Sequence, residues 1–390
     1  MILIKNAVLI DEYMEQKEDI LIEGKNIKYI GKNKIDRFVE ETGNTDDIKI
    51  IDAQGKYLLP SFIDMHFHLR NPGLEYKQTY KEANDACIKG GYTKVVAMAN
   101  TLPVADSADV INTVAENMKN LPLEVIQIAS VTKNLQGKEL VDFEELLKYT
   151  KLFSDDGKNV DNPEILREAL IKSKELGFTI LDHDEPETDM VRRNIEILRK
   201  TEGNLHFCHI SKKESMQLII KAKAEGLNAT VEVTPHHLFS YNLDYRVNPP
   251  IASKEDVGFL IQSIKNGHVD VIGTDHAPHT DEDKANGAPG IINIETSYAM
   301  IRKVFKENEI PMKILSKLMS NNPSRMTGKD NHIKEGNEAN LVILSDDKWN
   351  IDKSQFVTRS RNTPYDGWEV VGKVQYTIAK GEIVYDNARA

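Results

Sequence analysis

Eight short apolar runs, each followed by a stretch with helical spacing, fill the middle of this 390-residue chain and constrain its fold more than any other feature. They are Phe62 to His66, Lys94 to Met98, Leu123 to Ile128, Lys151 to Ser154, Phe178 to Leu181, Leu205 to His209, Ala229 to Val233 and Val269 to Gly273. Such alternation reads as parallel strands joined by helices, and eight is the number that closes a TIM barrel. The intervening segments carry helix punctuation. Asn162-Pro163 predicts an N-cap with proline at the first helical position, and Gly177 the stop. Ser211 with Glu214 predicts a capping box before a helix closed by Gly226, and Ser253 with Asp256 a weaker version.

The two ends differ from the middle. Ile2 to Leu9, Ile20 to Glu23, Ile27 to Ile30 and Ile48 to Ile51 are β-type runs between glycine-marked turns, and no helix is expected among them. Leu341 to Leu344, Gln375 to Ala379 and Ile383 to Tyr385 repeat the pattern at the other end. Chain termini often lie close together, so the fold expected is α/β. A (β/α)8 TIM barrel, residues 58–332, carries a small β-sandwich domain built from both termini, residues 1–57 and 333–390.

Composition excludes several function classes. With 50 Lys+Arg against 61 Asp+Glu, the net charge of -11 argues against nucleic acid or an anionic membrane as partner. An anionic substrate would therefore need local Arg and His. No apolar run approaches the ~18 residues of a membrane span, and the start, MILIKNAVLIDEY, lacks the marks of a signal peptide. Cys87 and Cys208 stand far apart inside apolar runs, so they read as buried thiols in a reducing cytoplasm.

Metal-binding residue types recur where the predicted strands end. His66 and His68 end the first run, Asp156 follows the fourth, His183 the fifth, His209 ends the sixth and Asp275 follows the eighth. Strand C-termini of a TIM barrel share one face, so these six converge. In His66-Phe67-His68, residues two apart on a strand point the same way and can reach one metal. Four imidazoles and two carboxylates suit Zn, Mn, Fe or Co, with Zn the default. Any one histidine alone reads as a hydrogen-bonded core residue; six at matching strand ends do not. Such a metal lowers the pKa of bound water to ~7 and polarises a carbonyl, chemistry that amide, ester or phosphate hydrolysis can all use. His236, His237 and His276 read as supporting or core residues, and His206, His268 and His332 as incidental.

The motifs in order resemble the dihydroorotase family of amidohydrolases: DMHFHLRNPG (64–73), AMANT (97–101), FSDDG (153–157), HFCHIS (206–211), VTPHHL (233–238), NPP (248–250) and TDHAPHT (274–280). The resemblance spans essentially the whole chain. It implies the reversible, zinc-dependent cyclisation of N-carbamoyl-L-aspartate to L-dihydroorotate in de novo pyrimidine (UMP) biosynthesis, with two Zn2+ per subunit. It further implies that His66 and His68 bind the first metal, and His183 and His209 the second. Asp275 would ligate the first metal and shuttle the proton as a metal-bound hydroxide attacks the ring. FSDDG matches the branch in which an aspartate replaces a carbamylated lysine as bridge; Asp156 is the expected bridge and Asp155 the alternative.

By the same resemblance Arg70, Asn100 and His279 grip the substrate carboxylate, His68 contacts substrate, Asn248 contacts the pyrimidine ring, and Pro289-Gly290 forms the loop beneath it. A guanidinium suits bidentate carboxylate capture; the bland alternative for Arg70 is a surface ion pair. The segment between His183 and His209 is shorter than is usual in the family, which bears on pocket shape or an oligomer contact. Two rivals stay open. A hydantoinase, dihydropyrimidinase or allantoinase would share barrel and metals, but a neutral ring needs no Arg70. A noncatalytic partner of aspartate transcarbamoylase would lose metal ligands, and here all six are kept. A homodimer or an association with such a transcarbamoylase is equally compatible with the sequence.

Overall fold

The computed structural model describes residues 1–42 and 48–389. Five strands open the chain: β1 (Ile2–Ile10), β2 (Glu15–Glu23), β3 (Asn26–Ile30), β4 (Lys49–Asp52) and β5 (Tyr57–Pro60). Eight follow: β6 (Phe62–Phe67), β7 (Tyr92–Ala97), β8 (Glu124–Gln127), β9 (Leu152–Phe153), β10 (Thr179–Asp182), β11 (Leu205–Phe207), β12 (Ala229–Val233) and β13 (Val271–Ile272). The last three are β14 (Leu341–Asn350), β15 (Glu369–Ala379) and β16 (Glu382–Asp386).

The middle strands pair only in parallel, as sheets β6-β7-β8 and β9-β10-β11-β12-β13. Single parallel bridges link them, Ala129 to Phe153 on one side and Phe67 to His276 on the other. Each of the eight apolar runs overlaps one of these strands. One buried cluster draws Met65, Val96, Ile128, Leu152, Leu181, Cys208 and Val271 together from seven of these eight strands or their ends. The two ends of the chain share a separate sheet, ordered β16-β15-β14-β5-β1-β2-β3 with β4 beside β1. Its two halves meet where Leu341 to Leu344 lie antiparallel to Pro60 to Tyr57.

Most of the punctuation performs as expected. Asn162 Oδ1 accepts from the Glu164 N–H, and Gly177 takes φ +73° to end helix Pro163–Leu176. Ser253 and Asp256 form a complete capping box, stronger than the sequence suggests. Ser211 does not. The helix there runs Lys213–Ala224 behind Lys212, because buried Glu187 takes the N–H groups of Ser211 and Lys212 and the Ser211 hydroxyl. A helix also interrupts the first β-runs, Lys32–Thr42, where none was expected. Ile35, Phe38 and Val39 pack on Leu3, Leu21 and Tyr29, a narrow apolar stripe hidden among charged residues. Among the described residues no helix is long and apolar enough to cross a membrane. Cys87 and Cys208 are buried free thiols.

Candidate active site

The six strand-end residues meet in one buried cluster. Asp156 sits at its centre. Its Oδ1 lies 3.3 Å from His66 Nε2, 3.4 Å from His183 Nδ1 and 3.6 Å from His209 Nε2, while Oδ2 lies 3.4 Å from His68 Nε2. Asp275 Oδ1 stands 3.1 Å from His68 Nε2 and 3.7 Å from His66 Nε2. Asp155 turns away, accepting from the N–H groups of Val131 and Thr132 and from the Thr132 hydroxyl. Burial alone would raise the carboxyls of Asp156 and Asp275. The charge of His66, with His183 and His209 close by, outweighs it at Asp156, and His68 with His66 outweighs it at Asp275, so both are held well below the usual range.

A cation fits this arrangement. His66 Nε2 and Asp156 Oδ1 are fully buried and face each other without a hydrogen bond, a costly condition that a shared metal removes. Among the described residues three groups of donors could each hold an ion, His66 with His68 and Asp156, Asp156 with His183 and His209, and His66 with Cys208 and Glu232; Asp156 belongs to the first two. The partners behind the histidines fix their tautomers. His68 Nδ1 lies 3.0 Å from Asn100 Oδ1 and His66 Nδ1 3.1 Å from Glu232 Oε1, so in its neutral form each ring donates from Nδ1 and offers Nε2 to a metal.

A cavity of about 190 Å³ opens onto the cluster. His68, Arg70, Asn100, Asn248, His279, Pro289 and Gly290 all line it, as do Asp156, His183, His209 and Asp275. A groove of about 910 Å³ beside Trp349 and Phe356 is larger but holds none of these groups. Arg70 is buried, its Nε donating to the Pro278 carbonyl at 3.1 Å and its Nη2 lying 3.2 Å from His279 Nε2. It is therefore no surface ion pair. Burial brings its guanidinium down to about 10. Three residues at the site, Arg70 (φ 65°), His209 (φ 37°) and Asp275 (φ 49°), adopt the left-handed conformation that non-glycine residues avoid, as strained functional positions often do.

Residues 55–193 match a family described as Dihydro-orotase-like. A dihydroorotase of Clostridium botulinum is 41% identical over 98% of this chain and 99% of its own length. The chain belongs to the dihydroorotase family. Dihydroorotases of Caldanaerobacter subterraneus, 36% identical over 98% of this chain and 97% of theirs, and of Aquifex aeolicus, 33% identical over 98% and 99%, agree. Among solved structures an L-hydantoinase (dihydropyrimidinase) from Arthrobacter aurescens superposes with TM-score 0.87 at 21% identity, covering 99% of this chain and 96% of its own. A dihydropyrimidinase from Brevibacillus agri gives 0.86 at 20%, covering 99% and 95%. These two likenesses establish a shared fold.

This dihydroorotase-family site also contains residues that the sequence reading passed over. Glu232, in β12, binds His66 Nδ1 and the His209 N–H through Oε1, and His206 Nε2 lies 3.7 Å from Oε2. Burial opposes its ionisation, but the charge of His66, with His206 close by and the hydrogen bond from His66, brings it down to about 2. Gly273 exists for the same carboxylate: a Cβ there would lie 2.2 Å from Glu232 Oε2. The available signal was one charged residue inside an otherwise apolar strand. His206 is thus no incidental residue. His332 pairs with Glu12 and Asp330 far from the cavity. His276 stacks on Phe67 and accepts from the N–H groups of Asn293 and Ile294, a supporting role. His237 lies between the Thr234 hydroxyl and the Pro249 carbonyl, and His236 beside Asn293, neither among the six ligands.

Glu232→Gln keeps the shape of the side chain and removes its charge. Loss of a partner behind a ligating histidine typically costs ~10–100-fold in metal affinity. Chelator competition on folded variant and parent should show that drop; unchanged retention would remove Glu232 from the site.

Proposed function

We propose that this chain interconverts L-dihydroorotate and N-carbamoyl-L-aspartate, the pyrimidine-forming ring closure, as a zinc-dependent cyclic amide hydrolase. One observation carries the substrate choice: Arg70, a buried guanidinium, lines the same small cavity as the metal-ligating cluster. A neutral ring would leave that buried cation without a partner, whereas dihydroorotate brings a carboxylate. The names of the full-length relatives support the same reading.

His66, His68, Asp156 and Asp275 would hold one zinc, and Asp156, His183 and His209 a second. Bound there, zinc supplies Lewis-acid polarisation of the ring amide carbonyl and activation of water. Arg70, His279 and Asn100 bind the carboxylate and fix the ring's orientation, with Asn248 and the Pro289-Gly290 loop against its plane. Asp275 takes the proton of the attacking water on its carboxylate and delivers it to the departing ring nitrogen. In the reverse direction the same oxygen removes the ureido proton. We draw the eight parallel strands as a closed (β/α)8 barrel, supported by the two bridges between its sheets and the cluster gathered from seven strands. Residues 58–332 form that catalytic domain, and 1–57 with 333–390 a β-sandwich domain, β5 carrying the chain between them. Two buried free thiols fit a reducing cytoplasm.

The fold is equally that of hydantoinases and dihydropyrimidinases, so substrate must be tested directly. Zinc-loaded protein should hydrolyse dihydroorotate in preference to dihydrouracil, hydantoin and allantoin. Preference for an uncharged ring overturns the assignment, and purified protein with no stoichiometric metal overturns the metal-dependent mechanism.

A further inference from the structure

We infer that Lys77 is a positioning residue that sets the tautomer of His279, so that His279 Nε2–H and Arg70 together donate to a substrate carboxylate. This rests on the proposal that a carboxylated ring binds beside Arg70. Lys77 does not line the cavity; it acts from behind.

Lys77 lies in the turn between β6 and helix Tyr80–Lys89, where its carbonyl accepts from the Ser360 hydroxyl at 2.7 Å. Its side chain is only 10% exposed, and its Nζ ends 3.2 Å from His279 Nδ1 and 3.4 Å from Asp283 Oδ2. An ammonium can only donate, so Nδ1 must accept. A neutral imidazole with a bare Nδ1 carries its proton on Nε2. Neutrality follows from the surroundings: burial and the adjacent Arg70 and Lys77 cations bring His279 down to about 3, and the carboxylate of Asp283, 3.8 Å from Nδ1, does not reverse that.

The consequence falls on the cavity side of the ring. His279 Nε2 faces Arg70 Nη2 at 3.2 Å, so two N–H donors converge there. One oxygen anion between them satisfies both, and a neutral group with equal donor and acceptor character does so less well. The ring cannot turn away from this task. The backbone N–H of His279 donates to Asn362 Oδ1 at 3.0 Å, fixing the main chain there, and the imidazole lies against Gly290, where a Cβ would come within 3.0 Å of His279 Cδ2. Without Lys77 the proton is free to move to Nδ1. Nε2 would then accept from Arg70, and the pair would spend its hydrogen bond on itself.

Two measurements on the zinc-loaded protein test this. In protein labelled with 15N-histidine, the His279 resonances should report a protonated Nε2 and a bare Nδ1, and Lys77→Met should move the proton toward Nδ1. Kinetically, Lys77→Met should raise KM for dihydroorotate by about tenfold, with kcat much less affected, and Lys77→Arg should restore most of the loss by restoring a donor. A wild-type His279 protonated on Nδ1 overturns the inference, as does an unchanged KM in a folded Lys77→Met. The wild-type spectrum is decisive even if that variant does not fold. Failure of the unaltered protein to hydrolyse dihydroorotate would instead refute the substrate assignment, and the tautomer measurement does not depend on it.

Discussion

Asp275→Asn is expected to abolish measurable turnover of dihydroorotate, a fall of at least about 100-fold and as much as ~10⁴-fold, the range typical of a lost general acid–base group. Metal content should stay close to that of the parent. The reason lies in how the donors divide. The two groups that share Asp156, His66-His68-Asp156 and Asp156-His183-His209, each bring three donors together without Asp275. Asparagine also tolerates the left-handed conformation at this position, φ 49°, better than most residues. Its amide oxygen can still face His68 Nε2 as the present Oδ1 does at 3.1 Å. What the amide cannot do is take up a proton and return it. Steady-state rates beside elemental analysis separate the two functions: near-normal turnover would dispose of the shuttle, and loss of metal together with rate would reduce Asp275 to a ligand.

The cluster of six was readable because parallel strands convert a sequence pattern into a spatial one. Each of the six residues lies at or just beyond the end of a strand, and parallel strands bring their ends to one face. Choosing between Asp155 and Asp156 needed more. Both sit in the loop after β9, where no strand alternation fixes direction, and only the packing of the folded chain turns Asp155 toward Val131 and Thr132 and Asp156 toward the histidines. Glu232 escaped for the opposite reason. It lies in mid-strand, 166 residues from His66 in sequence, and acts from behind a ligand, so nothing local marks its partner. Lys77 is similar, its contact with His279 spanning 202 residues. The same limit explains Ser211: a capping box is a local rule, and Glu187, 24 residues away, overrode it.

Arg70→Met should convert the enzyme from one that selects a carboxylated ring into one that does not. A charge-assisted hydrogen bond is worth about 1.5–3 kcal/mol, and a bidentate carboxylate clamp makes two, so kcat/KM for dihydroorotate should fall by about 100-fold or more. For dihydrouracil, which brings no carboxylate, the same change should be small or favourable, since it removes a buried cation that such a ring leaves unpaired. The ratio of the two substrates' kcat/KM is therefore the decisive measurement. A general loss of packing or metal would depress both rates together and leave the ratio where it was, in which event Arg70 is a structural residue. Arg70→Lys should recover little. A lysine ammonium lacks the planar fork, and it cannot keep the Nε donation to the Pro278 carbonyl while its one charged centre also meets the carboxylate. Global stability is a poor guide to any of this. Losing the Nε donor strands a buried carbonyl, a cost of about 1–3 kcal/mol, while removing a guanidinium that burial has already brought down to about 10 relieves a desolvation penalty of opposite sign. The two effects offset, so the melting temperature should move far less than the substrate preference, and that separation assigns Arg70 to recognition.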